Sequence, residues 1–331
     1  MINFIFSLDY EIFGNGSGSL IDHVYLPTLK LNQLFIDYGL RYVNFVEVAE
    51  FSKIKQLNSS ADITLVEEQI KEMYTNNFEI GLHIHPQWFN ATFENNQWQL
   101  DYSEYSLANL SQETIDNYFC LGIEYLRSVS GNDFFLPTSF RAGNWLIQPS
   151  NKIASSLIKS GIKIDSSVFR GGRQRFHSLD FRDYPNDLYY WKFSSEVLEP
   201  NTEGKLIEVP IYSTMVYLWQ MYSKKRKNIH LSMRQRKGIK YKLLTKLDNI
   251  RLKYPQKLDF TKMTFNELRK TIDNLISIDN KTIEIIKPVV LIGHSKNLFD
   301  FDTIKKLLNY IMHKQIPIIT FSEFLEQIKN K

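Results

Sequence analysis

One cysteine, Cys120, stands among 331 residues, which excludes an intrachain disulfide and leaves the fold to its apolar core. That residue lies in a helical pattern, suits a reducing compartment, and reads as core filler. No apolar run approaches the ~18 residues that a membrane-spanning helix needs. No basic-then-apolar leader precedes the first apolar run at Ile2. These absences point to a cytoplasmic protein. Internal repeats and an obvious linker are missing too, so 43% apolar and 14% aromatic content can fill one large core. The expectation is a single domain over 1–331.

The net charge of +4 is unevenly spread. Residues 221 to 257 carry thirteen Lys or Arg against one acidic residue, Asp248, which leaves the remainder near −8. Within Tyr217 to Leu247 the basic residues alternate with Trp219, Tyr222, Ile229, Leu231, Met233 and Leu243. We read 214–285 as a basic helical insertion over a rim. It could rest on the anionic inner face of a membrane or meet a phosphorylated lipid carrier, each Lys or Arg contributing ~1 kcal/mol near an acidic bilayer. The plainer alternative is a solvated insertion. Nucleic acid is not the expected partner, because the rest of the chain is acidic and no binding motif for it is present.

In chain order, Ile2 to Leu8 reads as a strand buried on both faces, as in a parallel sheet. Gly14-Asn15-Gly16-Ser17-Gly18-Ser19 lacks the Gly-Lys-Ser/Thr ending of a phosphate loop and the GxGxxG spacing, and reads as a mobile rim loop. Helices are predicted for Tyr25–Tyr38, with Pro27 in the first turn, and for Ile63–Tyr74 after cap candidates Ser59 and Ser60. Further helices are predicted for Ile115–Val129 after Ser111, Lys152–Lys159 closed by Gly161, Phe301–His313 and Glu323–Lys329. Strands are predicted for Arg41–Val48, Ser139–Arg141, Ile162–Ile164, Leu206–Ile211, Val289–Ile292 and Ile316–Thr320. Such alternation predicts a parallel sheet covered by helices, open or closed into a barrel.

Polar residues recur where the apolar runs stop: Asp9 and Glu11, His83 and His85, Arg141, Asp165, and His294. In a parallel α/β barrel those carboxyl ends share the rim where active sites are built. Residues at i and i+2 of a strand face one way, so Gly81-Leu82-His83-Ile84-His85 would present both imidazoles together. Imidazole is the commonest protein metal ligand, and a divalent ion needs at least one more donor, usually a carboxylate. Asp9 and Glu11 are the candidates.

Five segments in this order, Phe6-Ser7-Leu8-Asp9-Tyr10-Glu11, Gly81-Leu82-His83-Ile84-His85, Ser139-Phe140-Arg141-Ala142-Gly143-Asn144-Trp145, Ile164-Asp165-Ser166-Ser167-Val168 and Leu291-Ile292-Gly293-His294-Ser295, resemble the motifs of the polysaccharide deacetylase superfamily, carbohydrate esterase family 4. The resemblance covers nearly the whole chain except about residues 214 to 285. It implies a distorted, TIM-like (β/α) barrel of seven or eight strands. The implied activity removes N-acetyl or O-acetyl groups from sugars with a divalent metal, commonly zinc. Asp9 then matches the catalytic base and Arg141 the residue that orients it. His294 matches the general acid, which Asp165 would tune and keep protonated. Backbone N–H groups around Gly143, Asn144 and Trp145 would face the oxyanion, and Trp145 and Trp88 could form sugar-stacking walls.

The chain departs from the family at two places. Asp-Tyr-Glu replaces two adjacent aspartates, and His83 is followed four residues on by Gln87 rather than histidine. We therefore expect Glu11 and His85 to complete the metal set with His83. The expected substrate is an acetylated sugar or glycan precursor of a surface polysaccharide or glycolipid. Two alternatives remain open on sequence alone: a metal-light amidohydrolase acting on a small cyclic amide, and a carbohydrate-binding homologue without turnover.

Overall fold

A computed structural model describes residues 1–57, 61–185, 189–221, 225, 248, 251–279 and 286–329. Ten strands carry the architecture: β1 (Ile2–Tyr10), β2 (Val43–Glu47), β3 (Glu79–Ile84), β4 (Ser139–Ala142), β5 (Ile164–Asp165), β6 (Trp191–Phe193), β7 (Leu206–Glu208), β8 (Ser213–Tyr217), β9 (Lys253–Lys257) and β10 (Lys287–His294). Eight of them form one curled sheet in the order β6-β7-β5-β4-β3-β2-β1-β10. Every pairing in it is parallel except β6 with β7. This is the predicted distorted (β/α) barrel.

The apolar run at the start of the chain explains why β1 lies inside the sheet. All nine of its residues are buried, with β10 on one side and β2 on the other, a setting that only an unalternating hydrophobic strand tolerates. Between β7 and β10 single bridges replace a ladder. Ile211 bridges to Val290 and Asp259 to Ile292, and the Tyr212 N–H donates to the Val290 carbonyl at 3.0 Å. The closure is therefore irregular, and the missing ladder is where the β8–β9 ribbon enters.

Eight helices among the described residues cover the sheet: α1 (Leu26–Asp37), α2 (Val48–Leu57), α3 (Ala61–Thr75), α4 (Gln112–Ser130), α5 (Asn151–Ser160), α6 (Phe265–Asp279), α7 (Phe301–His313) and α8 (Phe321–Lys329). Their ends obey local chemistry. The Ser111 side chain caps α4 by accepting from the Thr114 N–H, and Gly161 ends α5 with φ 83°, a left-handed conformation that glycine adopts without a Cβ clash.

Some expectations need revision. Strand β2 stops at Glu47, and Val48 opens α2, a helix that the run 41–48 conceals. Cys120 sits on the exposed face of α4 and fills no core. Ile316–Thr320 contributes only a bridge from Ile318 to Phe4. Within 214–285, β8 and β9 form an antiparallel ribbon, while Asp259 and Phe260 join the barrel wall and α6 packs on α7. Of the helical stretch expected at Tyr217–Leu247, Tyr217 closes β8, and 222–224 and 226–247 lie outside the described residues, as do Ser59 and Ser60. The glycine-rich segment is tied to itself: the Gly16 N–H donates to the Phe13 carbonyl, and the Ser17 hydroxyl and N–H donate to Asn15 Oδ1. No described helix is long and apolar enough to cross a membrane.

Candidate functional site

Strand register assembles the site. Asp9 on β1 is level with His294 on β10, and Glu47, His83 and Arg141 form one row across β2, β3 and β4. All five lie at or next to the carboxyl ends of their strands, so one mouth of the barrel receives them.

Arg141 is the hub. Its side chain is fully buried, and Nη1 donates to Asp9 Oδ1 at 2.6 Å. Nη2 donates to Ser7 Oγ at 2.9 Å, Nε to the Ser166 carbonyl at 2.9 Å, and the guanidinium lies 4.1 Å from the Phe45 ring centroid. The Arg141 carbonyl faces His83 Nδ1 at 2.7 Å. That bond makes Nδ1 the donor and fixes the ring with Nε2 turned toward Glu11.

Glu11, His83 and His85 converge as expected. Glu11 Oε2 is buried without a hydrogen bond, 3.6 Å from His83 Nε2 and 3.3 Å from His85 Nδ1. Glu47, which no sequence motif singles out, joins them, with Oε2 2.8 Å from His85 Nδ1. One donor atom from each of the four residues lies within 4.8 Å of the others. Asp9, Glu11 and His294 form a second such group beside it. His85 is the second imidazole of the cluster, and Gln87 is buried with its amide unpaired.

The electrostatics suit a cation. Burial would raise the Glu11 carboxyl, but Lys296, whose Nζ sits 2.6 Å from Oε1, and the two imidazoles hold it well below the usual range. Burial would likewise lower His83, yet Glu11, with Asp9 and Glu47, pushes it up to about 9. An acidic, desolvated cluster that retains a proton on a histidine is one from which a divalent ion would displace that proton. The orphaned Glu11 oxygen, the oriented His83 ring and the mixed N and O donors fit such an ion.

His294 differs from expectation. Its Nε2 lies 3.4 Å from Asp9 Oδ2, but Nδ1 is buried without a partner. Burial, then Lys262 and Lys296, drive its pKa well below the ordinary value against the opposing pull of Glu11 and Asp259. The imidazole is neutral at pH 7, and Asp165 is not what tunes it. Asp165 instead accepts from the Ser167 hydroxyl at 2.7 Å and N–H at 3.2 Å, and it faces Glu208 in register on β7.

Asp165 and Glu208 are both raised, first by burial, and Glu208 next by Asp165; one Glu208 oxygen has no hydrogen bond. An acid raised in the folded state favours folding below its unfolded pKa, and that contribution is lost as pH climbs toward the folded value. Glu208→Gln removes the ionisable partner while keeping an amide to share with Asp165. We expect its Tm to exceed wild type by about 1–3 °C at pH 8 and the gap to close near pH 4. A gap that is the same at both pH values would contradict a shared proton.

Gly143, Asn144 and Trp145 form a tight turn directly after β4. A Cβ on Gly143 would come within 2.6 Å of the His85 ring and the Ile84 carbonyl, so only glycine fits there. Asn144 and Trp145 have φ of 54° and 61°, left-handed values that cost about 1–3 kcal/mol for a bulky residue. Contacts hold Trp145 there: its ring lies edge-on to Phe169 at 5.6 Å and to His294 at 6.2 Å. Trp88, by contrast, is fully buried against Trp98 and cannot serve as a sugar-stacking wall.

No family model matches the sequence, and no curated protein matches it. Solved structures do match along nearly its entire length. A Mycobacterium smegmatis protein assigned as a polysaccharide deacetylase aligns over 99% of this chain and 90% of its own, with TM-score 0.53 and 14% identity. The chain has the polysaccharide deacetylase fold. A Pseudomonas aeruginosa PAO1 protein assigned to the same activity gives TM-score 0.50 at 12% identity, over 97% of this chain and 89% of its own. The allantoinase Puue gives 0.52 at 11% identity, over 97% of this chain and 88% of its own. At such identities the likeness concerns the barrel, and the chemistry rests on the residues above.

Proposed function

We propose that the protein is a metal-dependent hydrolase that removes an acetyl group from an N-acetylated or O-acetylated sugar in surface polysaccharide or glycolipid precursor metabolism. The observation that carries this reading is the convergence, at one barrel mouth, of Glu11, His83 and His85 with an Asp9 carboxylate locked by Arg141. Glu11, His83 and His85 would hold the ion, and Glu47 fixes the His85 ring. A divalent ion there, zinc being a common choice for N and O donors, supplies Lewis acidity toward the acetyl carbonyl and the attacking water.

The chain's own groups do the rest. Asp9 takes the proton from water: Arg141 fixes one of its oxygens, leaving Oδ2 for the reaction. Oδ2 is 3.4 Å from His294 Nε2, so the proton passes to a neutral imidazole that can accept it and deliver it to the leaving nitrogen or oxygen. The Gly143–Trp145 turn lies against the His85 ring, and its N–H groups would receive the oxyanion. Trp145 offers the remaining face for a sugar ring.

Purified protein is expected to hold about one divalent ion per chain, and His83→Ala to lose it together with acetate release. Elemental analysis and acetate assay on acetylated saccharides test both. A fully active protein without metal would instead favour the amidohydrolase alternative, and cyclic amides would then be the substrates to try.

A further inference from the structure

The ribbon β8–β9 brings a cation into the mouth that the chemistry above does not use. Ser213 pairs with Lys257 and Tyr217 with Lys253, so the inner end of the ribbon delivers Lys257 to the site. Its Nζ lies 2.8 Å from the Trp145 ring centroid and 4.2 Å from that of Phe169. It is half-buried, and Asp9, Arg141, Lys262 and Asp259 all act on it electrostatically.

The neighbouring cations are each matched. Arg141 pairs with Asp9, Lys296 with Glu11 at 2.6 Å, and Lys262 with Asp259 at 3.6 Å. Among the described residues Lys257 has aromatic faces and no carboxylate or carbonyl partner. An ammonium carries three donors, and ring faces satisfy none of them as an oxygen would. Burial and the nearby Lys262 also lower its pKa, the strain expected of a cation set down without its anion.

We propose that the site takes an acetylated sugar that itself bears an anionic group, a phosphate or a carboxylate, which Lys257 receives beside the Trp145 ring. This rests on the deacetylase reading for the sugar but not for the charge. With the sugar on the free face of Trp145, an anion on a neighbouring carbon or at the anomeric oxygen extends past the indole edge to the ammonium on the other face. The three unused donors then find oxygens, and the partly desolvated cation gains its counter-charge.

The test is binding by calorimetry to the metal-loaded protein, with three probes: N-acetylglucosamine, its 1-phosphate, and N-acetylglucosaminuronic acid. Wild type is expected to bind at least one charged probe about 10-fold or more tightly than the neutral sugar. Lys257→Met should abolish that preference while leaving the neutral affinity unchanged, and Lys257→Arg should keep most of it. Which charged probe wins tells phosphate from carboxylate. Equal affinities in wild type, a preference that survives Lys257→Met, or a variant that loses neutral and charged sugars alike would each overturn the proposal. A charge preference without acetate release from any probe would leave it standing and count against the deacetylase reading alone.

Discussion

Arg141→Leu is expected to cost about 3–5 kcal/mol of folding stability, a loss that denaturant unfolding reads directly. The size follows from what the guanidinium leaves behind. Asp9 would be a buried carboxylate with no counter-ion, while Ser7 Oγ and the Ser166 carbonyl would lose their donors. A double variant isolates the cause. Asp9→Asn removes the stranded charge, so combining it with Arg141→Leu should recover a large part of the deficit. If the single variant unfolds within about 1 kcal/mol of wild type, the hub assignment is wrong.

Asp9→Asn alone should lower acetate release by about 10²–10⁴-fold, the usual range for a lost general base. Metal content and affinity for an unreactive saccharide should persist, because the proposed metal set of Glu11, His83 and His85 does not include Asp9 and the amide still fits beside Arg141. This combination separates a catalyst from a homologue that only binds: in the latter, the substitution would change nothing that can be measured as turnover. Loss of metal with loss of rate would move Asp9 into the ion's coordination, consistent with the second donor group of Asp9, Glu11 and His294.

Much of this is legible in the sequence. Runs of unalternating apolar residues mark β1 and β10, and the polar residue at the end of each run marks the mouth, because parallel strands deliver their carboxyl ends together. Glu47 obeys the same rule yet escapes notice. The run 41–48 continues through Val48, and only the start of α2 shows that the strand ends one residue earlier, at a carboxylate. Asp165 shows the opposite failure. Its place at a strand end is plain from the apolar run before it, but its partner depends on the neighbouring strand, and register with Glu208 on β7 cannot be inferred from local spacing. The ionisation of His294 is hidden for a related reason: burial depresses it first, and Lys262, the next cause, comes from a segment with no motif. Trp88 belongs with these, since an aromatic a few residues past a site looks like a wall until burial shows it is floor.

The β8–β9 ribbon has one more implication. Five consecutive pairs from Ser213–Lys257 to Tyr217–Lys253 fix which side chains face inward, and a strand's period of two means that one extra residue inside it would turn Lys257 away. The described residues that follow are anchored elsewhere: Lys225 pairs with Asp300 at 2.9 Å and Asp248 with Arg175 at 3.0 Å. A side-chain change at either pair leaves the aim of Lys257 untouched, because that aim is set by strand register and by nothing farther along the chain.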